Sequence, residues 1–166
     1  MKKIQIKLSD HYLNNSIFVD ITLISILWIC NTSFSWFNFK IASKSENIEI
    51  LGDVVASSIS LAGFILASLT VIASIRSNIA NRPPEGAKNP LELFFSNENY
   101  IKIVQVFKDA IIELIAVFII SFGFWVSKEN FENYTIFKLL ISCIIIIFLS
   151  VARTLMVLFT IIKIPG

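Results

Sequence analysis

Charge is scarce in this sequence: Asp, Glu, Lys and Arg make up 16% of its 166 residues, where a water-soluble domain carries about a quarter. So little charge excludes a surface that must face water on all sides. The net charge of +2 is too small to argue for a nucleic-acid duplex as partner. Histidine occurs once, as His11, and reads as a solvated residue near the N-terminus. The two cysteines, Cys30 and Cys143, lie inside apolar runs, where neither a disulfide framework nor a zinc site is expected. Gly-rich phosphate loops, CxxC and HExxH are all missing. No conventional nucleophile–base set appears either, so neither enzymatic activity nor a cofactor or metal is expected.

What the sequence has is apolar bulk: 55% hydrophobic residues, fifteen of them Phe, and a mean hydropathy of +0.76. A membrane-spanning helix needs about 20 mostly apolar residues. Four segments qualify, 17–37, 54–75, 110–126 and 139–162. The first has the basic approach of a signal peptide (Lys2, Lys3, Lys7). Its N-region is long, however, and Asn31-Thr32-Ser33 offers no small-residue cleavage site, so it reads as an uncleaved helix. The expected fold is an all-α integral membrane protein, one membrane domain over 1–166 with four transmembrane helices.

Basic residues set the orientation. Lys2, Lys3, Lys7, Arg76, Arg82, Lys88, Lys102, Lys108 and Lys163 fall on one side, against Lys40, Lys44, Lys128 and Lys138 on the other. The positive-inside rule then places both termini and the 76–100 loop in the cytoplasm, in a multi-pass protein of the cell inner membrane. Trp36 and Trp125 fall near the outer interface. Within the loop, Asn81-Arg82-Pro83-Pro84-Glu85-Gly86 is a helix-ending turn, and Leu91-Glu92-Leu93-Phe94-Phe95 reads as a short segment on the membrane surface.

The second span carries the clearest pattern. Asp53, Ala56, Ser60, Gly63, Ala67, Thr70, Ser74 and Ser77 alternate steps of three and four, so small or polar residues occupy one whole helix face. Close helix packing and the lining of a pore both explain such sorting, and both predict an inward face. The third span repeats the device with Lys102, Gln105, Asp109, Glu113, Ala116, Ile120, Gly123 and Ser127. Asp109 and Glu113 are four residues apart and call for a counter-charge, water or a cation. Arg153 in the fourth span and Asp20 in the first lie at a comparable depth. An ionisable group in the bilayer must face the bundle interior, so Asp20, Glu113 and Arg153 should converge there. They form either a salt bridge that fixes helix register or a ring of charges, with Asp109, at the cytoplasmic mouth of a pore.

Three function classes survive: a homo-oligomeric channel or membrane-permeabilising effector, a non-conducting accessory or scaffold subunit, and a small secondary transporter. The last ranks lowest, because no span has a central Pro or paired glycines. A lone four-helix bundle is too thin to enclose a hydrated pore, so a channel requires several copies. The short basic N-terminus, four spans, Gly63-Phe64-Ile65-Leu66-Ala67-Ser68-Leu69-Thr70 and Asn99-Tyr100-Ile101-Lys102-Ile103-Val104 together resemble the small four-helix membrane effectors of bacterial anti-phage operons, such as the Hailong-type effector. The resemblance implies a tetrameric channel, closed until a nucleotide signal from a partner enzyme binds. On that reading Arg76, Arg82 and Lys88 are candidates for the anionic ligand, against their ordinary role as positive-inside residues. The orientation has its own test. Ala87→Cys should resist a membrane-impermeant thiol reagent added outside intact cells; labelling from outside would reverse the topology.

Overall fold

The computed structural model describes residues 15–34, 41–79 and 99–162. These form four α-helices: α1 (Ser16–Phe34), α2 (Lys44–Ile79), α3 (Asn99–Val126) and α4 (Asn133–Ile162), with a 3-10 turn at Lys128–Asn130. Three are long and apolar enough to cross a membrane, over Ser16–Ser33, Lys44–Ser77 and Asn133–Phe159. His11, Trp36, Arg82, Lys88, the 81–86 turn, Leu91–Phe95 and Lys163 lie outside the described residues.

Three helices begin well before their apolar runs, and each early start has a local cause. At α2, Ser43 and Glu46 form a capping box: Glu46 Oε2 accepts from Ser43 N at 2.8 Å and from its Oγ at 2.7 Å, while Ser43 Oγ accepts from Glu46 N at 3.4 Å. The helix therefore starts at Lys44 rather than near 54 and runs 36 residues, about 54 Å, against a hydrocarbon core of about 30 Å. At α4, Asn133 donates to Ala42 O at 2.9 Å and accepts from Asn47 Nδ2 at 2.7 Å. That clamp joins the first turns of α2 and α4. The turn from α3 to α4 is short, closed by stacking of Phe124 on Phe131 at 4.2 Å. α3 starts at Asn99, eleven residues before its apolar run, because its first turns pack Ile103, Val106 and Phe107 inward.

α2, α3 and α4 make the apolar core. Ala62, Ile65 and Ile72 meet Ile103, Phe107, Ala110 and Leu114 between α2 and α3. Leu51 packs with Ile136 and Leu140, and Val54 with Val117 and Cys143. The neighbours along α1 run Ser16 to Asp109, Asp20 to Arg153 and Trp28 to Ser142. Hence α1 lies parallel to α3 and antiparallel to α4, in an up-down-up-down arrangement.

The small-residue face of α2 turns out to look away from this core. Asp53, Ala56, Ser60, Gly63, Ala67, Thr70, Ser74 and Ser77 are all exposed. The buried face, Leu51, Val54, Ser58, Ala62, Ile65 and Ile72, is centred about 160° around the helix from them. The expectation that this face points inward therefore fails within the single chain. α2 packs through its branched and bulkier side, and a Cβ added at Gly63 would meet nothing within 4 Å. Two neighbouring substitutions separate the faces. Ala62→Leu should lower the stability of the bundle by about 1–3 kcal/mol through overpacking, whereas Gly63→Leu should leave it unchanged; thermal unfolding of the two detergent-solubilised variants checks this.

A buried charge cluster as candidate functional site

Polar residues at helical spacing in α1, α3 and α4 meet at one end of the bundle. Arg153 Nη1 donates to Asp20 Oδ2 at 3.0 Å and its Nη2 donates to Glu113 Oε2 at 2.6 Å. Ser150, one turn before Arg153, donates its hydroxyl to the same Glu113 oxygen. One turn along α1 and α3, Asp109 accepts from Ser16 Oγ at 2.9 Å and from Gln105 Nε2 at 2.6 Å. Thr154 closes back on its own helix, to Ser150 O at 3.1 Å. Ser16, Asp20, Asp109, Glu113, Ser150, Arg153 and Thr154 are all buried, with Arg153 only 2% exposed.

The geometry follows from spacing. Ser16 and Asp20, Asp109 and Glu113, and Ser150 and Thr154 are each four residues apart, so each helix presents two polar groups one turn apart on one side. Three helices then interlock in two layers. Burying an ion costs several kcal/mol unless it is paired and hydrogen-bonded. Here one guanidinium serves two carboxylates, and a hydroxyl adds a third donor. Glu113 Oε1, on the far side of that carboxyl, is buried without a hydrogen-bond partner among the described residues.

The cluster joins three of the four charges expected at the cytoplasmic mouth, Asp20, Glu113 and Arg153, while Asp109 sits beside them with its own donors. The neighbouring carboxylates of α3 are thus answered separately, one by a guanidinium and one by a hydroxyl and an amide. The rest of the α3 stripe does not follow them inward: Lys102, Gln105, Ala116, Ile120 and Gly123 are exposed. The core face of α3, centred on Ala110, Leu114, Val117 and Ser121, lies about 100° from the stripe. Asp109 and Glu113 reach inward from its border. Ser16 and Ser150 escaped the sequence reading, and Gln105 was read only as part of the stripe; their signal is a polar residue one turn from a buried charge.

The other candidates sit apart. Asp53 is exposed on the rim of an apolar groove of about 400 Å³ between α2 and α4, lined also by Leu61, Ile147 and Phe148. On the outer face of α2, Ser60 Oγ donates to Ala56 O at 2.8 Å and Thr70 Oγ1 to Leu66 O at 2.9 Å. The Arg76 guanidinium stands over the Tyr100 ring at 5.3 Å, linking the end of α2 to the start of α3. Among the described residues no group of three or more His, Cys, Asp or Glu is placed to hold a metal ion.

A helical bundle with a buried four-charge cluster and an external small-residue face is the class of structure these observations define. Comparison with protein-family profiles, with curated proteins and with solved structures returns no match.

The cluster can be tested as an energetic unit. Arg153→Met leaves two carboxylates buried without their shared donor and should cost about 3–5 kcal/mol, read as a large fall in the midpoint of thermal unfolding. Adding Asp20→Asn and Glu113→Gln to Arg153→Met should restore much of the loss. Additive losses in the triple variant would show that the three side chains do not act together.

Proposed function

We propose that this chain is the subunit of a homo-oligomeric membrane channel or membrane-permeabilising effector, tetrameric, with four spans, both termini cytoplasmic and α3 as the fourth crossing in the cell inner membrane. The observation that carries the reading is the outward face of α2. Lipid gives no reason to collect Ala56, Ser60, Gly63, Ala67, Thr70 and Ser74 on one exposed side between Ile59, Phe64, Leu66 and Val71, which are also exposed. In a ring of copies that side is available to neighbouring subunits or to an axial path, and Asp53 would stand at its outer end. The buried carboxylates do not serve as a mouth ring in this reading, because Arg153 and Ser16 occupy them.

The proposal extends to regulation: a nucleotide signal made by a partner enzyme opens the channel during anti-phage defence. Its support is the sequence resemblance. Of the three basic candidates for that ligand, Arg76 lies at the loop-side end of α2 against Tyr100, while Arg82 and Lys88 fall outside the described residues.

A specific observation favours a second reading, a non-conducting scaffold subunit of a larger membrane complex. The Ser60 and Thr70 hydroxyls already donate to carbonyls of their own helix, so the α2 face needs no water to satisfy them. The two readings part on flux. The channel reading predicts a homo-oligomeric mass for the detergent-purified protein and, with the partner enzyme's nucleotide product supplied, ion flux in reconstituted vesicles, with both lost in Gly63→Leu although the subunit still folds. A purified wild-type protein without flux at any mass, even with that nucleotide product supplied, would favour the scaffold.

A further inference from the structure

α1 is held differently from the other helices. Among the described residues, the buried apolar clusters draw only on α2, α3 and α4. The side chains that α1 buries are Ser16 and Asp20, while Phe18, Ile21, Leu23, Ile26 and Ile29 face outward. It is joined to the bundle by polar points strung along one side: Ser16 on Asp109, Asp20 on Arg153, and Trp28 Nε1 on Ser142 Oγ at 2.9 Å. The Lys138 ammonium lies 5.5 Å from the Trp28 ring and adds a weak fourth. Helices in a bilayer associate through close packing and polar bonds, with no hydrophobic force between them. α1 adds half-buried Ile17, Val19, Ile24 and Leu27 to these bonds, but no fully buried apolar side chain among the described residues.

Beneath α1 lies a row whose charges lipid does not accept, Asp109 and Glu113 on α3 and Arg153 on α4, with the hydroxyls of Ser142 and Ser150 beside them. α1 covers that row, and its own exposed hydroxyls are closed on their helix, Thr22 on Phe18 O at 2.7 Å and Ser25 on Ile21 O at 2.9 Å. The helix is therefore acceptable to lipid on its outer side whether or not it is docked. Glu113 Oε1 is buried in this network without a hydrogen-bond partner among the described residues.

We propose that α1 is a detachable lid over the polar row of α3 and α4, and that the Asp20–Arg153 ion pair is its latch. Release of the latch leaves Arg153 with Glu113 and Ser150 and uncovers a charged groove along the bundle. Such a groove must fill with water or meet another polar face. Its consequence for permeation rests on the channel reading; the lid itself does not.

The test uses the full chain in lipid vesicles with Cys30→Ser, and nitroxide labels on the exposed positions Ile26 and Phe148 to report α1 against α4. A second labelled pair, Ile59 and Phe148, reports α2 against α4. Double electron–electron resonance should give one narrow distance for each pair in the latched parent. Asp20→Asn should broaden or split the α1–α4 distance and leave α2–α4 unchanged; Phe18→Ala, on the exposed side of α1, should alter neither. A narrow α1–α4 distance in Asp20→Asn overturns the lid, as does parallel broadening of both pairs, which would make the cluster a general stabiliser. In the same vesicles Asp20→Asn should raise ion flux above the parent. Broadening without any flux upholds the lid and counts against the channel.

Discussion

Arg153 decides how this bundle holds together. Its guanidinium sits between Asp20 of α1 and Glu113 of α3, and it is carried by α4, so a single side chain ties three helices at one depth. In an apolar surrounding, each carboxylate without a partner would cost several kcal/mol, and so would the guanidinium. The helices therefore have little freedom to slide: a shift of one turn in any of them would strand a charge. Apolar contacts in α2, α3 and α4 tolerate small displacements; this ion triad does not. Register at the cluster end is set by charge, and at the opposite end by the Asn47–Asn133 clamp between α2 and α4.

With Asp20, Asp109, Glu113 and Arg153 buried, the outer surface of the helices carries a different kind of information. α2 has two periodic faces on opposite sides, one of larger apolar residues spent on its own chain and one of small residues left exposed. α3 exposes its stripe of Gln105, Ala116, Ile120 and Gly123 beside its core face. Small residues lower the cost of a close approach by another helix, and self-bonded hydroxyls remove the need for water. The surface is consequently suited to contact with protein while remaining compatible with lipid. That duality is what lets channel and scaffold readings both start from the same face.

Much of the layout could be read from the chain because apolar runs of spanning length admit few alternatives. The convergence of Asp20, Glu113 and Arg153 was legible for a related reason: helical rise converts residue number into depth, and a charge at that depth must face inward. The direction of the α2 face was not legible. Its Ala56–Ser60–Gly63–Ala67 side and its Val54–Ser58–Ala62–Ile65 side are equally periodic, and without water outside there is no hydrophobic gradient to say which one the chain itself uses. Helix starts were misplaced because hydropathy marks where lipid begins. The capping of Glu46 by Ser43 and the bonds of Asn133 are polar events beyond that boundary.

The account stands on the position of one guanidinium, and its geometry is directly measurable. Rotational-echo solid-state NMR on protein in lipid bilayers, with ¹⁵N in Arg153 and ¹³C in the side-chain carboxyls of Asp20 and Glu113, reads the separations without disturbing the cluster. The account predicts strong dephasing from both carboxyls, in keeping with N–O distances of 3.0 Å to Asp20 and 2.6 Å to Glu113. Dephasing from neither, or from Glu113 alone in the resting protein, would contradict it.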